Sequence, residues 1–431
     1  MNKEILRLAI PNILSNLSVP LLSSFDTALM GRLTELHIGA VGLGAMIFNF
    51  IYWNFGFLRM GTTGITAQAF GRDDQKDLIE TFGRANVVAI VVATVLLILQ
   101  YPLVESAIYL MNVSAEQRPI VEEYFYIRIW AAPASIASYA FMGWFFGMQN
   151  AVYPLIMTVA VNVVNIVLSY FFVMHLGMEA AGVAWGTVIA QYTGVLLALG
   201  LFYYKYSHLF AHMQRAVFLK KEAFKQFLSI NSDIFIRTFF LTFVFGFFYS
   251  QSASGGNMIL AVNVILLNFL NWMSYGVDGF AFASESLVGK YKGIGHPQNI
   301  KRAIRLSFGW GMAMAALFSL AYWFGGGTIL RLFTNQEDVI VAATPFLFWM
   351  AIFPLLSTPC YIWDGVYIGL TASRAMRNTM ILAFIFYLAV HFAFKEIWGN
   401  NHSIWFALLL FMVARGGIQH LFFWKKGLAL R

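Results

Sequence analysis

Charge is too scarce along this chain for it to fold as a water-soluble globule. Of 431 residues only 11% are Asp, Glu, Lys or Arg, while 60% are hydrophobic and the mean hydropathy is +0.70. Soluble domains carry about 25% charged residues, because a water-facing surface needs them. A bilayer is the solvent that suits this composition. Apolar runs of about 20 residues cross hydrocarbon as helices, whereas barrel strands alternate over about 10. The runs here predict twelve helical spans, at 8–31, 41–70, 85–110, 124–148, 152–175, 181–204, 226–250, 258–289, 303–324, 340–370, 376–395 and 403–424, with no length left for a soluble domain. The single cysteine, Cys360, excludes a disulfide framework and a Cys-based metal cluster. No metal site or cofactor is expected. Met1 to Arg7 is too short and too mildly charged for a cleaved signal peptide, so the first apolar stretch is expected to stay in the protein.

The basic residues orient the spans. With the N-terminus inside, 20 of the 28 Lys and Arg fall on the inner side. Only Arg32, Arg118, Arg128, Arg331 and Lys395 fall outside, and Arg59, Arg237 and Arg415 lie within spans. Such an excess on one side follows the positive-inside rule and predicts a multi-pass protein of the cell (inner) membrane with both termini cytoplasmic. It also accounts for the net charge of +8, through orientation and attraction to anionic inner-leaflet lipid. A nucleic-acid partner is therefore not expected, since that would want basic residues clustered with aromatics on one face.

The two halves echo each other around the polar stretch 205–225. Met60-Gly61, with Gly71 ten residues on, has its counterpart in Asp278-Gly279 and Gly289. Pro133, Met142-Gly143 and Gly147 are matched by Pro354, Asp364-Gly365 and Gly369. Offsets of 218 to 222 with six spans per half predict a parallel repeat, related by an axis along the membrane normal. The expected fold is an all-α polytopic membrane protein: residues 1–204 form one six-helix lobe, 205–225 a cytoplasmic linker, and 226–431 the pseudo-symmetric second lobe, around a central cavity. Gly and Pro are common in membrane helices, but matched order and spacing in two places argue for the repeat.

Ionisable groups inside spans are costly and usually face a cavity or a partner. Asp233 and Arg237 stand i, i+4 on one helical face, which predicts a structural ion pair. Glu285 lies one turn from the cytoplasmic exit, where a solvated end residue is expected. Two readings stand for Asp278 and Asp364: they line the second lobe's side of the cavity, or each pairs with an intramembrane arginine. Asp26 is the most suggestive carboxylate, with Pro11 and Pro20 upstream and no carboxylate at its repeat position, Gly246. Proline removes a backbone hydrogen bond and permits a bend. Burial favours the protonated form of a carboxylate, so a bendable helix carrying one such group is a plausible proton-driven switch. The competing reading is a structural Asp bonded by Ser15, Ser18, Ser23 or Ser24. Asn165, Ser169, Thr187 and Gln191 form the polar set of the first lobe, and Asn257, Asn263, Asn268 and Asn271 that of the second, with Asn263 a cavity candidate beside Asp278 and Asp364. Tying helices together is the commoner use of such side chains. Most of the 43 Phe and 19 Met face lipid or pack, and a minority suit a pliable pocket for apolar cations.

Several segments carry a family resemblance. "AIPNILSNLSVPLLSSFDTALMGRL" (9–33) resembles the first helix of the multidrug and toxic compound extrusion (MATE) transporters. "MGTTGITAQAFGRDD" (60–74) and "FFGMQNAVYPLIMTVAVNVVNIVL" (145–168) resemble its second and its fourth-to-fifth helices. "NSDIFIRTFFL" (231–241), "VDGFAFASESLVGKYKG" (277–293) and "WDGVYIGLTASRAMRNTM" (363–380) are similar to the DinF branch. The resemblance implies two six-helix bundles around a cleft, exporting cationic amphiphiles in exchange for protons or sodium, with the coupling aspartate at Asp26 and a polar cluster at Asn165, Ser169 and Thr187. Many relatives carry a second aspartate where this chain has Ser169. That departure weakens a carboxylate-to-carboxylate relay, and it weakens a sodium site more, since hard cations favour charged oxygen ligands.

The driving force bounds the stoichiometry. One charge crossing 100 mV is worth about 2.3 kcal/mol and one pH unit about 1.4 kcal/mol. One proton exchanged for one monovalent cation is electrically silent, so only the pH gradient would drive it. A second proton would have to come from elsewhere, and Asp278 and Asp364 are the candidates. Expected partners are thus a small cationic amphiphile and the lipid bilayer, with the monomer as the functional unit. The alternatives are a sodium-coupled antiporter and a flippase of a lipid-linked or amphipathic precursor, which would want a strongly basic cavity for phosphate. An enzyme is not expected: His-Glu-x-x-His, Gly-x-Ser-x-Gly, Gly-x4-Gly-Lys and Cys-x2-Cys are all missing. The eight histidines are dispersed, most of them near span ends, as solvated or interfacial residues are.

Overall fold

Backbone polar groups find no water in hydrocarbon, so each spanning segment must satisfy its own, and the helix does so within one segment. The computed structural model describes residues 1–30, 35–213, 220–425 and 427, without the side chains of Leu21, Ser23, Ser24, Asp26, Thr27, Ala28 and Glu35. Arg32, Arg215, Lys426 and Arg431, counted above for orientation, fall outside the described residues. Within them the elements are helices: α1 (Asn2–Met30), α2 (Glu35–Phe55), α3 (Phe57–Gly71), α4 (Gln75–Ile98), α5 (Gln100–Leu110), α6 (Arg118–Arg128), α7 (Ala132–Gly147), α8 (Val152–Met174) and α9 (Glu179–Tyr206). After a 3-10 turn at Ser207–His212 come α10 (Lys221–Ser254), α11 (Asn257–Ile294), α12 (Pro297–Phe333), α13 (Glu337–Ala343), α14 (Leu347–Gly369) and α15 (Ser373–Lys425).

Among the described residues ten stretches are long and apolar enough to cross a membrane. One of them, α15, is broken at Gly399 (φ 74°, ψ 165°), a backbone conformation open to glycine, so it supplies the eleventh and twelfth spans. With α1, 29 residues long, the set accounts for twelve crossings. The second span is not one rod: α2 and α3 meet at Gly56. Local chemistry sets several ends. Asp74 caps α4 by accepting the Asp77 N–H at 2.9 Å, and Gly295 closes α11 in the left-handed conformation.

Packing divides the chain into two units, Leu14–Leu228 and Met1–Ile13 with Ser229–Arg431. In the first, Trp144, Phe141 and Phe145 of α7 pack with Phe82 of α4 and with Phe202 and Tyr206 of α9, and the Trp144 indole donates to the Leu78 carbonyl at 2.9 Å. Both units use glycine for their closest helix contacts. A methyl on Gly143 would meet the Arg59 carbonyl of α3, and one on Gly147 the Thr66 side chain. In the second unit Gly365 lies against the Ala281 carbonyl of α11 and Gly369 against that of Glu285. These are the glycines of the sequence repeat, so the repeat is a repeat of packing. Glu285 itself is 1% exposed, because α11 continues past it to Ile294, and so it is not the solvated end residue the sequence suggested.

Candidate functional site

A polar seam joins α1 to α8. The Ser15 hydroxyl donates to Thr158 at 2.9 Å, Thr158 donates onward to the Pro154 carbonyl, and Asn162 donates its amide to the Ser18 hydroxyl at 2.8 Å. The paired positions differ by 143 and 144. Carried along α1, these offsets bring position 26 to the level of Ser169 and Tyr170 of α8. The side chain of Asp26 lies outside the described residues, as do those of Ser23 and Ser24. Pro11 and Pro20 both sit inside α1, and Pro11 falls three residues before Leu14, where the helix passes from one unit to the other.

Next to the seam, α8 and α9 hold the anticipated cluster. The Asn165 amide donates to Thr187 at 2.9 Å, Thr187 donates to the Val183 carbonyl at 3.0 Å, and Ser169 stands 3.5 Å from the Asn165 oxygen. Asn165 and Ser169 are buried at 1% and 0% exposure. Gly186 makes this possible: a Cβ there would strike Ser169. Gln191, one turn beyond Thr187, is half-buried and makes no hydrogen bond to the cluster. Thr158 and Asn162 were missed in the sequence, although they continue the α8 stripe of Asn165 and Ser169 at helical spacing.

The first turn of α1 is fixed within the other unit. Glu4 takes a hydrogen bond from Lys290 at 3.2 Å and pairs with the N-terminal ammonium at 3.3 Å. Burial would raise the Glu4 carboxyl, but Lys290 and the ammonium outweigh it and hold the group below its ordinary value. Gly279 admits the helix closely, against the Ala9 carbonyl and Ile13.

The second unit's charges are arranged differently from the sequence expectation. Asp233 and Arg237 do not pair. The Asp233 carboxylate takes hydrogen bonds from Ser373 at 2.8 Å and Arg377 at 2.6 Å, whereas Arg237 bonds Asp364. Sharing a helix face makes i, i+4 groups neighbours, but α14 and α15 bring better-placed partners to each of them. Asp364 also accepts from Arg415 and, at 2.8 Å, from Gln419. Of the two readings open for Asp364, pairing with arginine is the one found; its carboxylate is 7% exposed and fully engaged, not lining an open cavity. Asn263 likewise is 0% exposed. Its amide donates to Ser252 and Asn401, both at 2.7 Å, and its oxygen accepts from Trp405 at 2.9 Å, so it clamps α10, α11 and α15 together. Asp278 is half-buried on α11. A cavity of about 280 Å³ in this unit is lined by Trp349, Trp398 and His402, away from these charges.

With the geometry in hand, comparison with known proteins is decisive for the family. Residues 11–171 match the MatE family, and residues 234–394 match it a second time. The chain belongs to the MatE family. The second match begins 223 residues after the first, in line with the repeated glycine packing. Over 421 residues the chain is 33% identical to DNA damage-inducible protein F of Escherichia coli (strain K12), covering 96% of this chain and 90% of that one. It is 24% identical over 396 residues to a probable multidrug resistance protein NorM of Idiomarina loihiensis (strain ATCC BAA-735 / DSM 15497 / L2-TR), covering 89% and 83%. Its fold is that of the Vibrio cholerae MATE transporter VcmN in the bent form, with a TM-score of 0.85 at 18% identity over 100% of this chain and 97% of that one. As a MATE protein the chain is a multi-pass inner-membrane transporter of small molecules that works without a cofactor, not an enzyme.

Proposed function

We propose that the protein exports cationic or amphipathic small molecules (drugs, dyes, toxic metabolites) in exchange for protons by alternating access, with Asp26 as the coupling group. The observation that supports this reading is the α1–α8 seam, whose offsets, carried along α1, bring position 26 to the level of Ser169 and Tyr170, near the buried Asn165–Thr187 pair. Protonation of a lone carboxylate there removes a charge that hydroxyls and amides stabilise only in part, and α1 carries two prolines at which it can bend. The cluster around that register offers neutral oxygens alone, which favours a proton over sodium. On the same reading the lobes 1–204 and 226–431, joined by 205–225, move as units except for the first 13 residues, which pack with the second lobe; the monomer suffices, and both termini face the cytoplasm.

The flippase alternative needs arginines free for phosphate, and two of the three in the spans, Arg237 and Arg415, are bound to Asp364. The test is dye efflux in inverted vesicles under imposed proton or sodium gradients, comparing wild type with Asp26→Asn. The expected result is proton-driven transport that the substitution abolishes. Transport driven by sodium alone, or unchanged in Asp26→Asn, would overturn the coupling assignment. Movement of a pyrophosphate-linked lipid without any cation transport would favour the flippase.

A further inference from the structure

Two of the carboxylates within the spans are already committed. Asp364 is committed to two guanidiniums and an amide, and Asp233 to Arg377 and Ser373. The repeat indicates where to look. Moving by the 223 residues between the two family matches carries α1 onto α10, α8 onto the segment of α15 before Gly399, and α9 onto the segment after it. The corner where α8 and α9 hold Ser169 and Thr187 beside α1 in the first half thus has a counterpart where α10 meets both segments of α15. Ser169 maps to position 392, adjacent to His391.

His391 is 0% exposed and sits inside the eleventh span. Its hydrogen bonds determine its tautomer. The Ser403 hydroxyl donates its one hydrogen to the His391 carbonyl at 2.8 Å, so toward the ring its oxygen can only accept, and it takes the Nδ1–H at 3.2 Å. Nε2 is therefore the bare, basic nitrogen, and it has no hydrogen-bond partner among the described residues. One turn earlier on the same face, the buried Tyr387 hydroxyl also lacks a partner. Both rings pack on Phe247 of α10, at centroid distances of 5.4 and 5.8 Å. The segment after Gly399 contributes Ser403 and Phe411, and Phe392 flanks the imidazole. Lys395, one turn along the same segment, is the charged group that acts on it.

We propose that His391 Nε2 is a second proton-binding group of the transport cycle, in the C-terminal repeat's counterpart of the Asp26 corner. The lone pair of Nε2 takes a proton to give the imidazolium, Nδ1–H stays on Ser403, and the Tyr387 oxygen is the acceptor available to the new N–H. The reverse step returns the neutral ring. An imidazolium is costly in so dry a corner, so the protonated and neutral forms favour different packings of α10 on α15, as a coupling group requires. This rests on the proton-antiport reading above. It adds that two protons exchange for one monovalent cation, so the cycle moves net charge and responds to membrane potential.

The experiment uses purified full-length protein in proteoliposomes, with ethidium as the monovalent cation and protein-free vesicles as the baseline. A pH gradient and a valinomycin-imposed potassium potential are applied separately. Wild type should respond to both. His391→Gln should fall to baseline under the potential while keeping its pH-driven transport, and Asp26→Asn should lose both. A potential response that survives in His391→Gln, or is missing in wild type, overturns the second site while leaving proton antiport standing. Wild-type transport indifferent to the pH gradient overturns both. Should the variant fail to fold, wild type decides alone: calorimetric titration with ethidium in buffers of different ionisation enthalpy should count two protons released, and a count of one overturns the proposal.

Discussion

Asp364 places one carboxylate between two guanidiniums, with Gln419 taking up its other oxygen. Buried ion pairs contribute little net stability when formed, because desolvation offsets their attraction, but removing one partner leaves the other charged and alone. Asp364→Asn should therefore destabilise the protein by about 3–5 kcal/mol. Gln419→Ala removes a hydrogen bond from a neutral amide to the charged carboxylate and should cost about 1.5–3 kcal/mol. Thermal unfolding in detergent, followed through the abundant tryptophans, gives the ranking; an unchanged midpoint in Asp364→Asn would deny the cluster its structural role. The sequence made the cost of each buried charge legible, since so few charges occur in the spans. It could not give the partners. Spacing on one helix put Asp233 beside Arg237, and only the approach of α14 and α15 decided that they bond elsewhere. His391 was illegible for the same reason: its burial depends on Phe247, 144 positions away in the chain.

Twelve helices follow from apolar run length, and their presence was readable because hydrocarbon allows the backbone so few alternatives. One break was not: Gly56 interrupts the apolar stretch 41–70, which hydropathy sees as continuous, whereas Gly399 falls in the gap expected between the eleventh and twelfth spans. The repeated glycines were visible as spacing, and the structure supplies their purpose as contact points of α7 on α3 and of α14 on α11. That purpose has a measurable consequence. Gly143→Ala and Gly365→Ala each push a methyl into a backbone carbonyl and should destabilise by about 1–3 kcal/mol, the usual cost of overpacking. Gly42→Ala, on an exposed face of α2 with nothing within 4 Å, should instead be neutral or raise stability by up to about 1 kcal/mol. Unfolding midpoints of the three variants test the contrast, and equal effects at Gly42 and Gly365 would remove the close-packing explanation.

For the whole molecule, orientation is the property that the scarce charges most directly predict. Basic residues flanking a span are retained on the cytoplasmic side during insertion, so the loops rich in Lys and Arg should face inward. Chain chemistry offers a clean way to check this. Cys360 is the one cysteine, and at 0% exposure it should not react with a maleimide, so the wild type is a silent background. Ser114 is exposed in the connection after α5, on the side expected to be outer, and Gln298 is exposed at the start of α12, beside Lys292 and Lys301 on the side expected to be inner. In intact cells a membrane-impermeant maleimide should label Ser114→Cys and leave Gln298→Cys untouched until the membrane is permeabilised. The reverse pattern would invert the topology, and with it the side from which the proposed proton sites, Asp26 and His391, would be loaded. Labelling of both in intact cells would mean that the basic residues do not orient the chain at all.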